Sequence, residues 1–171
     1  MGLNITAIAD IGEKVANNWI GWRTETDYPD DDVCFISEGH HSRQAEGYDG
    51  VYLQDGLTHK FAAGSYIGYN TFRGFLTQAI YGKDPEEIWT ESSDVGWGDP
   101  FYEIIDFTDC NGVVGPETSA KLFQDFDEYE EQFKNYAQEN CENKCEKIVR
   151  LYGRFRAAFK VASDTGVVIF H

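Results

Sequence analysis

Apolar and polar residues recur with two different spacings along this chain, and together they predict helices packed on a sheet. Residues 116–140 and 144–163 place apolar side chains three and four positions apart, which is typical of two amphipathic helices joined by a short turn. A further helix is predicted from about 65 to 81, because Ser65 can cap its first turn and Gly82 suits a left-handed stop.

Strand-like composition marks the segments near residues 33, 51, 58, 101 and 167. Alternating residues flank Asp55-Gly56, which predicts a hairpin turn there. Phe101–Phe107 is expected to form a buried central strand, and a weak amphipathic pattern from Ile8 to Trp22 predicts a helix. We therefore expect one α+β domain over residues 1–171. It would contain a small mixed or antiparallel sheet, the helix at about 65–81, the C-terminal helical hairpin and a final strand.

The helix predicted at 65–81 has a second face that a protein core does not require. Tyr66, Asn70 and Arg73 line up on this face. An aromatic ring, an amide and a planar cation along one edge can hold a flat, polar, anionic group. A strand that ends in a glycine before a helix also presents free backbone N–H groups to an anion. The candidate ligand-binding residues of this segment are Ser65, Tyr66, Tyr69, Asn70 and Arg73.

A second block of candidate binding residues follows the start of the strand predicted at 101. Glu103 and Asp109 place carboxylates where packing does not need them, and Ser119 adds a hydroxyl near the helix start at Pro116. If Asp109 faces Arg73, the two can form a buried ion pair that ties the strand to the helix. Alternatively, the carboxylates accept hydrogen bonds from ribose hydroxyls or ring nitrogens while the arginine holds a phosphate. The sequence leaves both interpretations open.

Several motifs in these segments resemble those of a group of uncharacterised proteins from bacteriophages and bacterial genomes. They are Ala63-Gly64-Ser65-Tyr66-x-Gly68-Tyr69-Asn70-x-x-Arg73, Asp99-Pro100-Phe101-Tyr102-Glu103, Phe107-x-Asp109-Cys110-x-Gly112-x-x-Gly115-Pro116-x-x-Ser119-Ala120-Lys121-Leu122, and Ile169-Phe170-His171. The resemblance covers roughly Val51 to His171. It implies a phage or prophage setting, in which small acidic cytosolic proteins often neutralise a host defence system. It transfers no activity and no catalytic residue.

The chain is strongly acidic, with 14 basic and 30 acidic residues and a net charge of −16. A field of this sign repels nucleic acid and anionic membranes, so neither is expected as a direct partner. The acids either keep a cytosolic protein soluble or imitate the phosphates of DNA. Residues 117–142 contain 2 basic and 8 acidic residues, whereas residues 144–160 contain 6 basic and 1 acidic. The two helices are therefore expected to neutralise each other, which weakens DNA mimicry as an explanation.

The sequence predicts a cytoplasmic protein, in the host cell if the chain is phage-encoded. Its amino-terminal residues lack the basic start and long apolar run of a signal peptide. No apolar stretch approaches the roughly 20 residues that span a bilayer. Cys141 and Cys145 are one helical turn apart, but no further ligand is near them in sequence, so neither a metal nor another cofactor is predicted.

Three functional hypotheses follow from these features. The leading one is a phage-type anti-defence protein that captures a small anionic, nucleotide-like ligand, such as an immune signalling molecule. The alternative is an acidic inhibitor or immunity protein that contacts a host or toxin protein, including DNA mimicry of the anti-CRISPR kind. The third, a hydrolase with Glu103 or Asp109 as its base, lacks a recognisable series of nucleophile, base and orienting residue. The sequence therefore weighs against an enzyme, and no catalytic residue is assigned.

Overall fold

The computed structural model describes residues 2–18, 28–29, 32–107, 111–140 and 145–171, which form an α+β fold around a five-stranded sheet. The strands are β1 (Gly2–Ala16), β2 (Val33–Ile36), β3 (Gly50–Ser65), β4 (Gly112–Val114) and β5 (Val167–Phe170). Their order across the sheet is β2-β3-β1-β5-β4, and every neighbouring pair is antiparallel. The predicted α+β class and the final strand after the C-terminal helices are thus confirmed.

The described helices include both long helices predicted near the C-terminus. They are α1 (Ser42–Ala45), α2 (Tyr66–Tyr81), α3 (Pro85–Ile88), α4 (Tyr102–Ile105), α5 (Pro116–Glu128), α6 (Glu130–Asn140) and α7 (Cys145–Ala162). The Ser65 hydroxyl accepts a hydrogen bond from the backbone N–H of Gly68 at 3.1 Å, and Gly82 ends α2 in the left-handed conformation, as predicted. The helix predicted over 116–140 is divided at Tyr129 into α5 and α6.

The helix predicted from Ile8 to Trp22 is wrong as far as residue 16, and residues 19–22 lie outside the described part of the chain. β1 forms there instead, because it pairs with β3 on one side and with β5 on the other. Its register with β3 shifts between Ile8 and Asp10. At this irregularity the alternation of β1 is broken, and Ile8 and Ile11 reach the same apolar cluster although they are three residues apart. The spacing therefore imitates that of a helix.

The hairpin predicted at Asp55-Gly56 is also wrong, because β3 continues through both residues. Ile8 of β1 pairs with Thr58, whereas Asp10 pairs with Asp55, so β3 carries one extra residue here. Gly56 has φ of +79°, which glycine adopts without steric strain. The Asp-Gly pair thus produces a bulge within one strand and not a turn between two strands.

The strand predicted at Phe101–Phe107 is wrong, since the single helical turn α4 occupies this segment. Phe101 precedes the turn with φ of 60°, and Ile104, Ile105 and Phe107 are buried. A short apolar run that is buried on all sides does not distinguish a strand from a helix. The strand that joins the sheet after this segment is β4, which begins at Gly112.

The larger core lies between one face of the sheet and helices α2, α5, α6 and α7, and it is rich in aromatic rings. Phe155 of α7 is fully buried in this core. Its ring contacts those of Phe61, Tyr69, Phe72, Phe126, Phe159 and Phe170. The high aromatic content of the chain therefore serves mainly to fill this interior.

The positive side chains of α7 lie on two sides of the helix, and those on one side contact α5. Arg156 forms an ion pair with Asp127 of α5, and Lys160 lies 5.8 Å from the ring centre of Phe123. The expected pairing of acidic and basic C-terminal helices is thus confirmed on this side of α7.

Within the described ranges, none of the helices has both the length and the hydropathy needed to cross a membrane.

Candidate ligand-binding site

Arg73, the cation of the predicted binding face, is buried inside the protein and only 6% exposed. Its guanidinium donates hydrogen bonds to the carbonyl oxygen of Ile105, at 3.0 Å, and to that of Phe107. It also donates to Oδ1 of Asn70, and it lies 5.1 Å from the ring centre of Trp89. Arg73 therefore ties α2 to the end of α4 and is not open to a ligand.

The other candidate residues at the start of α2 divide between the core and the surface. Tyr69 is fully buried, and its hydroxyl donates a hydrogen bond to the carbonyl oxygen of Ile104 at 3.2 Å. Asn70 is exposed but accepts the hydrogen bond from Arg73, and Tyr66 is half-buried against the core. A ligand has no space to stack on Tyr69. Most of this face instead stabilises the attachment of α2 to the rest of the fold.

Glu103 belongs to a separate, buried group of charges. Its carboxylate accepts a hydrogen bond from the N–H of Gly98 at 3.0 Å and pairs with Nζ of Lys121 at 2.5 Å. Lys121 also pairs with Asp125 at 2.9 Å, and burial raises the pKa of the Asp125 carboxyl. These charges satisfy one another within the protein. Asp109 lies outside the described residues, so its pairing with Arg73 stays a prediction.

The start of α5, where Ser119 lies, is closed by a side chain of the protein itself. The Glu46 carboxylate accepts hydrogen bonds from the backbone N–H of Glu117, at 3.0 Å, and of Thr118, at 2.6 Å. Ser119 is fully buried, and its hydroxyl has no hydrogen-bond partner among the described residues. Because Glu46 already occupies this helix start, an external anion has no free site there.

Ser65, in contrast, lines an open cleft between the start of α2 and one side of α7. We call this space, of about 470 Å³, the basic cleft. Its first wall comprises the end of β3 and the beginning of α2, including Ser65, Ile67 and Gly68. Its second wall is α7, with Lys147, Arg150 and Arg154. The volume falls within the range of about 300–1,000 Å³ that is usual for small-molecule sites.

The local sequence leaves the start of α2 open towards the basic cleft. Gly64 brings the chain into the helix with φ of +103°, and Ser65 caps the N–H of Gly68. The earlier N–H groups of the first turn have no acceptor within the helix. This turn contains no acidic residue, whereas α3 to α7 each have at least one in their first turn. The positive end of the α2 dipole is thus uncompensated by its own sequence.

The opposite wall carries three cations on one side of α7. Lys147, Arg150 and Arg154 are spaced so that they fall on the same helix face. In the part of the chain that the structure describes, none of the three is within ion-pair distance of a carboxylate. Three positive side chains and a helix start therefore converge on one cavity, in a protein whose net charge is −16.

The site predicted from the sequence does not include Lys147, Arg150 and Arg154, although the sequence shows their spacing along a helix. The sequence predicts that the positive charge of residues 144–160 as a whole pairs with the acidic helices. Only Arg156 forms such a pair in the described structure of α7. A helical projection places Lys147, Arg150 and Arg154 about half a turn away from Arg156. These three residues therefore form a second stripe of cations on α7, without carboxylate partners among the described residues.

A second cavity, of about 420 Å³, lies beside Trp97. The guanidinium of Arg43 covers the Trp97 ring at 3.8 Å from its centre, and Glu103 and Lys121 line the interior. Because Glu103 and Lys121 are already paired with each other, this cavity offers fewer unused charges than the basic cleft. We therefore take the basic cleft as the candidate functional site.

His41, beside the buried Arg73, is expected to make stability depend on pH. Its ring stacks on that of Phe107 with centres 4.6 Å apart. Burial lowers the pKa of His41, and the positive charges of His40 and Arg73 act in the same direction, against the opposing field of Asp106. Below about pH 6.5 the unfolded chain then binds a proton that the folded protein takes up less readily. The contribution of His41 to the free energy of unfolding is therefore present above this pH and is lost as the pH falls.

We expect His41→Phe to reduce the loss of unfolding free energy between about pH 7.5 and about pH 5.5, because phenylalanine can stack on Phe107 but cannot bind a proton. Urea denaturation at both pH values measures this difference. His40→Phe, at the exposed neighbouring position, removes only the smaller electrostatic effect of His40 on His41 and should change the pH dependence less than His41→Phe does. An equal effect of the two substitutions would contradict the assignment to His41.

The described residues contain no group of three or more His, Cys, Asp or Glu side chains placed to hold a metal ion.

Comparison of the chain with protein-family models, with curated proteins and with solved structures found no significant match. The resemblance to phage and bacterial proteins therefore stays a prediction. The functional inference rests on the geometry and charge of the basic cleft.

Proposed function

We propose that this protein binds a small anionic ligand in the basic cleft. The observation that carries the proposal is the convergence of Lys147, Arg150 and Arg154 on one cavity, without carboxylate partners among the described residues. Cationic side chains form charge-assisted hydrogen bonds with phosphates and carboxylates. The open start of α2 favours an anion in the same space.

The charge of the whole protein favours a small ligand over a nucleic acid. A long polyanion would extend beyond the cleft and would be repelled by a protein of net charge −16. A small anion stays among the cations of α7. At physiological ionic strength the screening length is about 8 Å, so the more distant acids affect it weakly. The basic cleft therefore favours an anion of the size of a nucleotide.

We further propose that the ligand is nucleotide-derived and that its capture removes an immune signal in the cytoplasm of a host cell. The support for this setting is the resemblance to phage and bacterial proteins, which is independent of the cleft. We propose capture without turnover. The buried Glu103, a candidate base in the hydrolase hypothesis, is held by Lys121 and is not among the residues that line the basic cleft.

Gly68 allows a test in which charge changes while shape is kept. A Cβ atom added there would meet only the Ser65 hydroxyl, at 3.5 Å, which is an ordinary contact. Glutamate or glutamine at this third helical position can complete a capping box with Ser65, so neither substitution should unfold α2. We expect Gly68→Glu to bind an anion at least about tenfold more weakly than Gly68→Gln, because only the former adds a negative charge to the cleft.

Isothermal titration calorimetry with ATP, ADP-ribose, a cyclic dinucleotide and tripolyphosphate measures this difference. Arg154→Ala should also weaken binding, whereas Lys160→Ala, which removes an exposed cation on the other side of α7, should not. Equal affinities of the two Gly68 variants would move the site away from the cleft. If no anion of the panel binds, capture is wrong and the alternative, an inhibitor that contacts a host or toxin protein, is favoured.

A further inference from the structure

We infer that the basic cleft distinguishes its ligands by the number of phosphate groups and is indifferent to the base. This inference rests on the proposed function and specifies the chemistry that the cleft would recognise. The preferred ligand is an oligophosphate, either inorganic or carried by a nucleoside.

Both hydroxyl groups of the cleft wall on α2 are already engaged with the helix backbone. Ser65 Oγ accepts the hydrogen bond from the N–H of Gly68 at 3.1 Å. Thr71 Oγ1 donates to the carbonyl oxygen of Ile67 at 2.8 Å. Discrimination between bases needs side chains that are free to donate to, or accept from, the edge of the ring. These two hydroxyls are the neutral polar side chains among the described lining residues, and each uses part of its hydrogen-bonding capacity on the backbone, so only the Ser65 donor and the Thr71 acceptor remain for a ligand.

The remaining wall between the cations is aliphatic. Ile67 is 79% exposed at the start of α2, and Ile148 and Leu151 face the cleft from α7. Aliphatic side chains can pack against any base or sugar, because they bury apolar surface without regard to the pattern of ring nitrogens. They therefore add affinity for a nucleoside without a preference among nucleosides.

The three cations follow one another along the axis of α7. Arg154 lies seven positions after Lys147 in α7, which corresponds to about 10 Å along the helix axis. One phosphate group can contact only part of this row, whereas a chain of phosphates can contact more of it at once. Each additional charge-assisted contact strengthens binding. The geometry thus favours tripolyphosphate over orthophosphate.

The first experiment compares phosphate chains of different length. Isothermal titration calorimetry of the whole chain, in EDTA and about 50 mM salt, uses orthophosphate, pyrophosphate and tripolyphosphate. We expect affinity to rise along this series by at least about tenfold in total. Arg150→Gln should reduce the advantage of tripolyphosphate over orthophosphate, whereas Lys160→Gln should leave it unchanged. Equal affinities along the series would overturn the inference.

The second experiment compares ATP, GTP, CTP and UTP under the same conditions. We expect their dissociation constants to agree within about threefold, which corresponds to less than one hydrogen bond. A preference of more than about tenfold for one base would overturn the inference but leave anion capture intact. Failure of every nucleotide and every phosphate chain to bind would instead overturn the proposed function itself. The two failures are therefore distinguishable.

Discussion

Replacing Phe155 by alanine should lower the free energy of unfolding by about 3–5 kcal/mol. The side chain is fully buried, and six aromatic rings have their centres within 6.5 Å of its own. These rings belong to β3, α2, α5, α7 and β5, so they are held by several elements at once. They cannot collapse into the cavity that alanine would leave. Urea denaturation followed by circular dichroism measures the loss.

Phe35→Ala is the matched control for this experiment. Phe35 lies on the edge strand β2 and is 48% exposed, so its removal should cost less than about 1 kcal/mol. Phe155→Leu provides a milder variant if the alanine protein does not fold. A loss below about 1.5 kcal/mol for Phe155→Ala would contradict the central position of this ring in the core.

Arg73→Ala should lower the free energy of unfolding by about 3 kcal/mol or more. The substitution removes the donor from the carbonyl oxygens of Ile105 and Phe107, and each buried acceptor left without a partner costs about 1–3 kcal/mol. It also removes a planar cation that lies 5.0 Å from the ring centre of Tyr69. Denaturant unfolding measures this effect. Under conditions in which the Arg73→Ala variant remains folded, its affinity for the anion should equal that of the original protein.

Arg154→Ala should show the opposite behaviour. Arg154 is exposed, lies 6.0 Å from the ring centre of Phe61 and, in the described structure, has no carboxylate partner, so its loss should change stability by less than about 1 kcal/mol. It should nevertheless weaken anion binding, because Arg154 lines the basic cleft. If Arg73→Ala abolished binding at full stability while Arg154→Ala had no effect, the site would lie on the face first indicated by the sequence.

The elements that the sequence predicted well are those whose signals are local. Ser65 and Gly82 mark the two ends of α2 by their capping chemistry, which depends on residues within one turn. The long apolar repeats of α5 to α7 give enough turns for a helical period to be recognised. Their length, more than their composition, makes the interpretation secure.

The elements that were missed depend on contacts between distant segments. β1 becomes a strand because β3 and β5 pair with its two edges, and its bulges disguise the alternation of residues. Asp55-Gly56 has the composition of a hairpin turn, yet β1 lies alongside and keeps β3 extended. Pairing of this kind is a tertiary interaction that overrides local preference.

The candidate site was predicted only in part, because a helical pattern shows which residues share a face but not what that face contacts. The α2 face containing Arg73 meets the end of α4, so a cation that appeared free is an internal donor. The open helix start at Ser65 was recognised, but its partners on α7 come from more than 80 residues further along the chain. Their proximity is a property of the fold.

The order of strands also has a consequence for how the chain assembles during synthesis. β5 follows β4 and helices α5 to α7 in the chain, yet in the sheet it lies between β1 and β4. The ribosome must therefore release residues 112–170 before β1 gains its second neighbour and β4 gains any strand beside it. Until then one edge of β1 stays open to mispairing, so the nascent protein should depend on chaperones more than its modest size suggests.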